Sequence, residues 1–428
     1  MMQRREIKDN SRMVSPSNLR WVMIALVFFA TVINYLDRQA LSVVAPVLIE
    51  IYHMSNVTYS RIIFAFMLAY TLMNGVTGPI IDRVGTRAGY FLTTAWWSVA
   101  AMLHAATIGP WSLGTFRFLL GMGEAGNWPA GVKVVAEWFP APERALASGI
   151  FNSGSAIGAI LAPPIVVWVV LRFGWRATFV VVGASGFIWL AAWLSIYHSP
   201  ENIPHEQSSP GVSLRQLLAT RFIWMFTGAK VFLDPVWYFY IFWFPAYLKQ
   251  ARHFDLTAIG KWAWIPFLGA AVGNVLGGWC ATLLLRWHVA VPLARKLSVT
   301  LFALLMSAAI PAVLANDVRL SIALVSIAML GYTGVTANML AVPADVLPSD
   351  LVASAWGFAS VGSGVGGMLF ALATGWLVDC FSYVPVFFVF GLIPICALII
   401  IWTVMGPLHP IHADGIKGKT VRLRAATE

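Results

Sequence analysis

Twelve long apolar runs, separated by short polar gaps, leave this chain few ways to fold. They lie at approximately 20–49, 56–80, 88–107, 111–138, 143–171, 176–197, 218–249, 256–283, 293–315, 319–346, 351–377 and 383–405. A helix needs about 20 apolar residues to cross the hydrocarbon core of a bilayer, and each run is long enough. A soluble globule cannot hide them. Of 428 residues, 59% are hydrophobic and only 11% charged, with a mean hydropathy of +0.77. Soluble domains are about 25% charged and need a polar skin. The runs are too uniformly apolar for the alternating strands of a membrane β-barrel, and disorder would require a polar chain. The expected fold class is an all-α integral membrane protein with twelve transmembrane helices.

The basic residues orient it. With the N-terminus in the cytoplasm, seventeen Lys and Arg fall on that side and seven on the other; Arg38, Arg117, Lys133 and Lys230 fall within spans. Cytoplasmic loops carry the excess of Lys and Arg, so both termini are expected inside. The first 20 residues hold five basic residues, and the apolar segment that follows has no small-residue cleavage site. This is the pattern of a cytoplasmic tail and first span rather than a removed leader. The net charge of +10 is scattered through short gaps, which argues against a nucleic-acid partner. Cys280, Cys380 and Cys396 lie in or beside apolar runs and show neither a disulfide framework nor a CxxC spacing.

The polar, Pro- and Ser-rich gap at 198–217 is the longest between spans. It divides the chain into a six-helix bundle at 1–197, a cytoplasmic linker, and a second six-helix bundle with a short cytoplasmic tail at 218–428. The halves resemble each other at an offset of 208. Pro140 meets Pro348, Gly149 meets Gly357, Gly154 meets Gly362, Ser155 meets Ser363 and Gly158 meets Gly366, while Glu137 meets Asp345. Parallel six-helix repeats, with a site between them at mid-membrane, are the plan of one class of secondary transporter.

Charges within spans are the candidate chemistry, since each costs about 2.5–3.5 kcal/mol at mid-helix. They are Asp37 and Arg38 in the first span, Arg117, Glu124 and Lys133 in the fourth, and Lys230 with Asp234 in the seventh. Arg117 and Glu124, seven apart, share a helix face. Simple ion pairing between helices is the plainer alternative. It weighs most for Lys230–Asp234 and for Lys133, which has Glu137 four residues on.

Between the second and third spans the sequence runs Gly78-Pro-Ile-Ile-Asp82-Arg83-Val-Gly85-Thr-Arg87. This loop resembles the signature loop of the major facilitator superfamily. The resemblance implies a cytoplasmic gate built on Gly78, Asp82, Arg83, Gly85 and Arg87, with Arg144 nearby. It implies Asp82 at a helix N-terminus, where the dipole favours an anion. In the second half Thr282 stands where the matching acid is expected.

Three further stretches narrow the resemblance: Asn34-Tyr-Leu-Asp37-Arg38; Arg117 through Gly121-Met-Gly123-Glu124-Ala-Gly126-Asn127-Trp128-Pro129 to Glu143-Arg144; and Lys230 through Asp234-Pro235-Val-Trp237-Tyr238 to Tyr247. Together they resemble the anion:cation symporter family, and within it bacterial hexuronate transporters. The resemblance implies that Asp37 and Glu124 take up and release protons, that Arg38 or Arg117 meets the substrate carboxylate, and that Tyr70 bonds the substrate. It places Asn152 and Ser155 on the cavity face of the fifth span. The chemistry agrees independently. A guanidinium grips a carboxylate in a two-point fork that Lys cannot copy, and a buried carboxyl's hold on its proton depends on whether the neighbouring Arg is free or taken by substrate.

A sugar acid also needs hydroxyl partners and a flat apolar face. Lys133, Lys230, Tyr238, Tyr240, Asn338 and Ser360 are the candidates, with Trp237 and Ser363 beside them. His104 reads as an internally satisfied histidine, and Trp96 and Trp97 as packing. No metal cluster, cofactor motif or activated nucleophile points to an enzyme, and no cofactor is expected. The expected function is proton-coupled symport of a sugar-acid anion, hexuronate first, into a bacterial cell across its inner membrane. An aldonate, aldarate or other carboxylate, or anion exchange, is the alternative. The expected partners are that carboxylate, protons and the lipid bilayer, with no nucleic acid, and the protein is expected to be a monomer.

Overall fold

The computed structural model describes residues 19–198, 218, 220–347 and 349–404. The expected tails, most of the 198–217 linker and the side chain of Asp345 lie outside what is described. Fifteen α-helices follow one another among the described residues: α1 Leu19–Ile51, α2 Asn56–Val84, α3 Thr86–Leu103, α4 Pro110–Glu124, α5 Asn127–Trp138, α6 Ala141–Phe173, α7 Trp175–Ile196, α8 Arg221–Gln250, α9 Leu256–Trp262, α10 Ile265–Arg286, α11 Val291–Met306, α12 Ala309–Leu314, α13 Val318–Val346, α14 Ser349–Cys380 and α15 Tyr383–Ile399.

Each apolar run is helical, but three are broken. Run 111–138 becomes α4 and α5, run 256–283 becomes α9 and α10, and run 293–315 becomes α11 and α12. Short polar side chains set several helix starts. The Ser55 hydroxyl accepts from the Thr58 amide at 3.1 Å, and Asp255 accepts from Ala258 at 2.7 Å. Such caps satisfy amides that have no partner within the helix. At Gly85, between α2 and α3, φ is +86°, a conformation that strains any residue with a Cβ.

Among the described residues, nine helical stretches are long and apolar enough to cross a membrane, against the twelve expected. The runs that fall short are 88–107, 111–138 and 218–249. The last two carry most of the intramembrane charges, which dilute their apolarity. Large apolar side chains such as Trp111, Ile188 and Val275 are exposed on the outer faces, as a multi-pass membrane protein requires of surfaces in contact with acyl chains.

The repeat at offset 208 is a packing repeat. Gly154 and Gly158 of α6 press against the backbone carbonyls of Phe28 and Val32 of α1, leaving no room for a Cβ. Their counterparts Gly362 and Gly366 of α14 press in the same way against Thr227 and Val231 of α8. Small residues four apart let helix backbones touch, which supplies dispersion contact where lipid offers no hydrophobic drive. Because Phe28 and Val32 stand 199 residues before Thr227 and Val231, α1 and α8 are equivalent at that second offset.

Helices α1–α7 pack mainly among themselves, as do α8–α15. The two groups meet through α2 against α14, α1 against α8, and α6 against α9 and α10. At one end they are pinned together. Asp379 of α14 accepts from the backbone amides of Asn56 and Val57, at 3.0 and 2.8 Å, and from the Asn56 side chain at 2.8 Å. The carboxylate thus caps the N-terminus of α2 across the interface, where the helix dipole favours an anion. Lys249 pairs with Glu50 at 3.1 Å, and the Tyr59 hydroxyl donates to the Phe242 carbonyl at 2.8 Å. At the opposite end, which holds the start of α1, the groups part around a cavity.

Candidate functional site

The cavity has a volume of about 480 Å³ and is walled by α1, α2, α5 and α6 on one side and α8, α10, α13 and α14 on the other. That volume suits a small molecule. Val132 and Leu340 line it and are exposed at its mouth.

Arg38 is the cation of the first wall. Its guanidinium lies between the rings of Tyr35 and Tyr70, at 4.9 and 4.7 Å from their centroids. Its Nε donates to Glu124 Oε2 at 2.9 Å, and its Nη2 reaches Asn34 Oδ1 at 3.4 Å. Two stacked rings and a carboxylate hold the fork in one orientation, which lowers the entropy lost when an anion docks. Arg38 is 2% exposed and Glu124 0%, so the pair is poorly screened.

Local sequence explains why Glu124 reaches this point. Gly121 lies against the Phe66 carbonyl of α2 and Gly123 against Trp97 of α3, so α4 approaches both helices closely. The helix then ends at Glu124, and α5 restarts at Asn127. Asn127 accepts from the Tyr90 hydroxyl at 2.7 Å and donates to Thr31 at 3.2 Å, which anchors the break.

Asp37, Arg117 and Glu124 do not line the cavity; they are buried directly behind its wall. Arg117 donates to the Arg38 carbonyl at 3.1 Å, and its Nε and Nη1 have no hydrogen-bond partner among the described residues. The same holds for both oxygens of Asp37 and for Glu124 Oε1. Four ionisable groups, Asp37, Arg38, Arg117 and Glu124, are therefore buried together, and three of them keep donors or acceptors without a partner among the described residues. Native cores keep few such groups without a functional reason.

The second wall differs. Lys230 pairs with Asp234 at 2.7 Å, as the spacing of four predicts, and its ammonium lies 5.0 Å from the Trp356 ring. Asp234 also accepts from the Tyr332 hydroxyl at 3.2 Å, and Tyr332 stacks on Trp237 with centroids 5.6 Å apart. Tyr238 shares a 3.3 Å hydrogen bond with Ser363. Asn152, Ser155 and Ser360 line the same space.

Besides Arg117, which the sequence offers as a carboxylate anchor and which lies behind the wall, three expected substrate ligands stand elsewhere. Lys133 pairs with Asp82 at 2.9 Å and donates to the Ile81 carbonyl at 3.0 Å. Glu137, its expected partner, instead accepts from Thr86 and Tyr197. Tyr240 is buried among Phe239, Phe244 and Phe387. Asn338 donates to the carbonyls of Gly277 and Gly334, clasping α13 to α10. Tyr240 is two residues on from Tyr238, about 200° around the helix, so the two cannot face the same cavity.

The gate loop also needs a correction. Asp82 lies in the last turn of α2, not at a helix N-terminus. The dipole there disfavours an anion, and Lys133 supplies the compensating charge. Gly78 is open to one side, Gly85 makes the positive-φ junction, Arg83 is exposed, and Arg87 donates to the Leu194 carbonyl at 2.6 Å. Arg144 donates to the Phe139 and Ala136 carbonyls. Thr282 bonds back to Gly278 within α10. His104 is buried, with Nδ1 2.8 Å from the Ala100 carbonyl and Nε2 without a hydrogen-bond partner among the described residues, so it is internally satisfied at one ring nitrogen only.

Asn74, Asn274, Tyr332, Thr336 and Trp356 are cavity residues that sequence reasoning missed. Tyr332 had a signal: it lies 208 residues after Glu124, at the equivalent place in the repeat.

The sequence pattern described as the Major Facilitator Superfamily matches residues 27–294. The chain belongs to the major facilitator superfamily. It is 34% identical over 407 residues to a hexuronate transporter of Escherichia coli (strain K12), an alignment covering 90% of this chain and 94% of that one. It is 30% identical over 393 residues to a probable galactarate/D-glucarate transporter, GarP, of the same organism, covering 84% and 88%. Its fold is similar to a crystal structure of a bacterial homolog of the human lysosomal transporter Spinster in an inward-facing, unoccupied conformation. The TM-score there is 0.69 at 18% identity, with 90% of this chain and 95% of that chain covered. As a member of this superfamily the chain is a transporter and not an enzyme.

Proposed function

We propose that this major facilitator protein carries a sugar-acid monoanion, a hexuronate, into a bacterial cell together with protons. The observation that carries the reading is Arg38. It is a cavity-lining guanidinium held by aromatic stacking and by Glu124, with Asp37 and Arg117 buried behind it. A carboxylate docking on Arg38 competes with Glu124 for the same positive charge. A carboxylate buried without donors costs several kcal/mol, so when Arg38 is taken a proton must neutralise Glu124. Asp37, with neither oxygen partnered among the described residues, is the second proton carrier. Substrate and proton are thereby coupled in one local device. Tyr70, Tyr238, Asn152, Ser155, Ser360 and Lys230 meet the hydroxyl groups, and the Trp237–Tyr332 face meets the apolar side of the sugar. The similarity to the hexuronate transporter supports this substrate class.

In this reading the two helix groups are the bundles 1–197 and 218–428, joined by the 198–217 linker. They form twelve spans of a monomer in the inner membrane, with both termini cytoplasmic. The distribution of Lys and Arg supports that orientation. The pinned end then faces outward and the open cavity inward, so the described state is inward-open. Transport requires release of the Asp379 cap and closure near the Asp82 loop.

Uptake of labelled galacturonate into proteoliposomes, with pH gradient and voltage imposed separately, tests the proposal. Accumulation driven by an acid exterior, and competed by glucuronate, is expected. If both acids load, one negative charge enters with two positive ones, and an inside-negative potential adds about 2.3 kcal/mol per 100 mV. Exchange that ignores both gradients rejects symport.

A further inference from the structure

Two cationic side chains reach the cavity from opposite walls, Arg38 and Lys230. That arrangement alone would suit a molecule with a carboxylate at each end. The second cation, however, is cancelled in place. Asp234 lies 2.7 Å from the Lys230 ammonium through one oxygen and accepts from Tyr332 through the other. The side chains of Lys230 and Asp234 are only 12% and 8% exposed, so the pair is screened little. Trp356 and the Trp237–Tyr332 stack confine the pair. Arg38 is paired as well, with Glu124 at 2.9 Å, but through Nε alone, so its guanidinium keeps further N–H donors for a carboxylate; the ammonium of the second wall sits in a neutral ion pair that offers an acceptor oxygen.

We infer that Asp234 is a specificity-determining residue that restricts the cavity to monocarboxylate sugar acids and rejects aldarates of the same length. The inference rests on the reading of this cavity as a sugar-acid site. A sugar hydroxyl can donate to Asp234 and accept from Lys230 without disturbing the pair. A second carboxylate cannot donate. It meets Asp234 as a like charge and reaches Lys230 only by displacing Asp234, and like-charge juxtaposition of this kind is how sites discriminate against a near-isostere. Removing the charge of Asp234 while keeping its shape frees Lys230 for a second carboxylate.

The test is competition by galacturonate and galactarate against labelled glucuronate binding, on purified protein. Wild type should prefer galacturonate by about tenfold or more. Asp234→Asn should shift that ratio toward galactarate by about tenfold. Adding Lys230→Gln should abolish the gain, because the freed ammonium is its source. If Asp234→Asn does not yield folded protein, Lys230→Gln alone carries the test: Asp234 is then an uncompensated anion, and the preference for galacturonate should widen. A galacturonate-to-galactarate ratio unmoved in either folded variant, while galacturonate still binds, overturns the inference and leaves the sugar-acid reading standing. Equal affinity of wild type for both acids overturns it too. Failure of wild type to bind any uronate overturns both. Loss of gradient-driven uptake in Asp234→Asn at an unchanged ratio makes Asp234 a proton carrier and also overturns it.

Discussion

The two halves of the molecule build the same pivot from different chemistry. Arg38 of α1 and Trp237 of α8 are equivalent at the 199 offset, and Glu124 of α4 and Tyr332 of α13 at the 208 offset. In the first half the pivot is an ion pair at 2.9 Å; in the second it is an aromatic stack with centroids 5.6 Å apart. The backbone packing that presents them is the same, with glycines of α6 and α14 against carbonyls of α1 and α8. Charge within a membrane is costly, and in the proposed function one copy suffices to grip one carboxylate and exchange protons. The other copy uses rings, which in the proposed function would give a sugar a flat partner at lower desolvation cost. The difference shows that the repeat conserves helix contacts and not site chemistry.

The largest expected effect tests that division directly. Arg38→Lys removes the fork and should weaken sugar-acid binding by about 2–5 kcal/mol, whereas Trp237→Phe keeps a stacking ring and should cost about 1 kcal/mol. Calorimetry or ligand-dependent thermal shift on both variants decides it. Equal losses would break the comparison, because the two halves would then contribute alike.

Next comes Glu124→Gln. It fixes the acid of the charged pivot in a neutral form, and it should leave substrate exchange across the membrane intact while eliminating accumulation driven by a proton gradient. Asp37→Asn should be at least as damaging. Counterflow and gradient-driven uptake, measured on the same proteoliposomes, separate the two functions. Full accumulation by Glu124→Gln would remove that residue from the proton path.

A smaller effect is expected at the open end. Asp82→Asn breaks an ion pair with Lys133 whose carboxylate is 71% exposed. The stability loss should stay below about 1 kcal/mol, and galacturonate affinity should hold while the uptake rate changes. An unaltered rate would reduce the loop to a topology signal.

The smallest effect belongs to Tyr240→Phe. Its hydroxyl is buried without a hydrogen-bond partner among the described residues, so removing it should leave uptake unchanged and stability within about 1 kcal/mol. A marked loss of transport would place a polar function in the packed aromatic side of α8 and blur the contrast between Tyr238 and Tyr240.

Much of the site was legible before any coordinate. Intramembrane charge is rare enough that Arg38, Glu124, Lys230 and their neighbours identify themselves, and Arg38, Tyr70, Tyr238 and Ser360 do line one cavity. Tyr240 misled because it lies on the helix face opposite Tyr238, while Lys133 and Asn338 misled for a shared reason. A polar atom within a span needs a partner, and for Lys133 and Asn338 that partner is a side chain or carbonyl of the protein rather than a ligand.

By itself the sequence determined that this chain is a bundle of long apolar helices, repeated at an interval of 208, with its charges gathered in few spans. Length, apolarity and repetition are one-dimensional properties, so they survive without coordinates. Only the tertiary structure decided which arginine faces the cavity, which acid Lys133 joins, where run 111–138 breaks, and that α1 and α8 are offset by 199 and not 208. The rotation of a helix in a membrane leaves little periodic trace, because lipid and packed protein are both apolar environments. Glycine-to-carbonyl contacts between distant segments set that rotation, and they exist only once the helices have met.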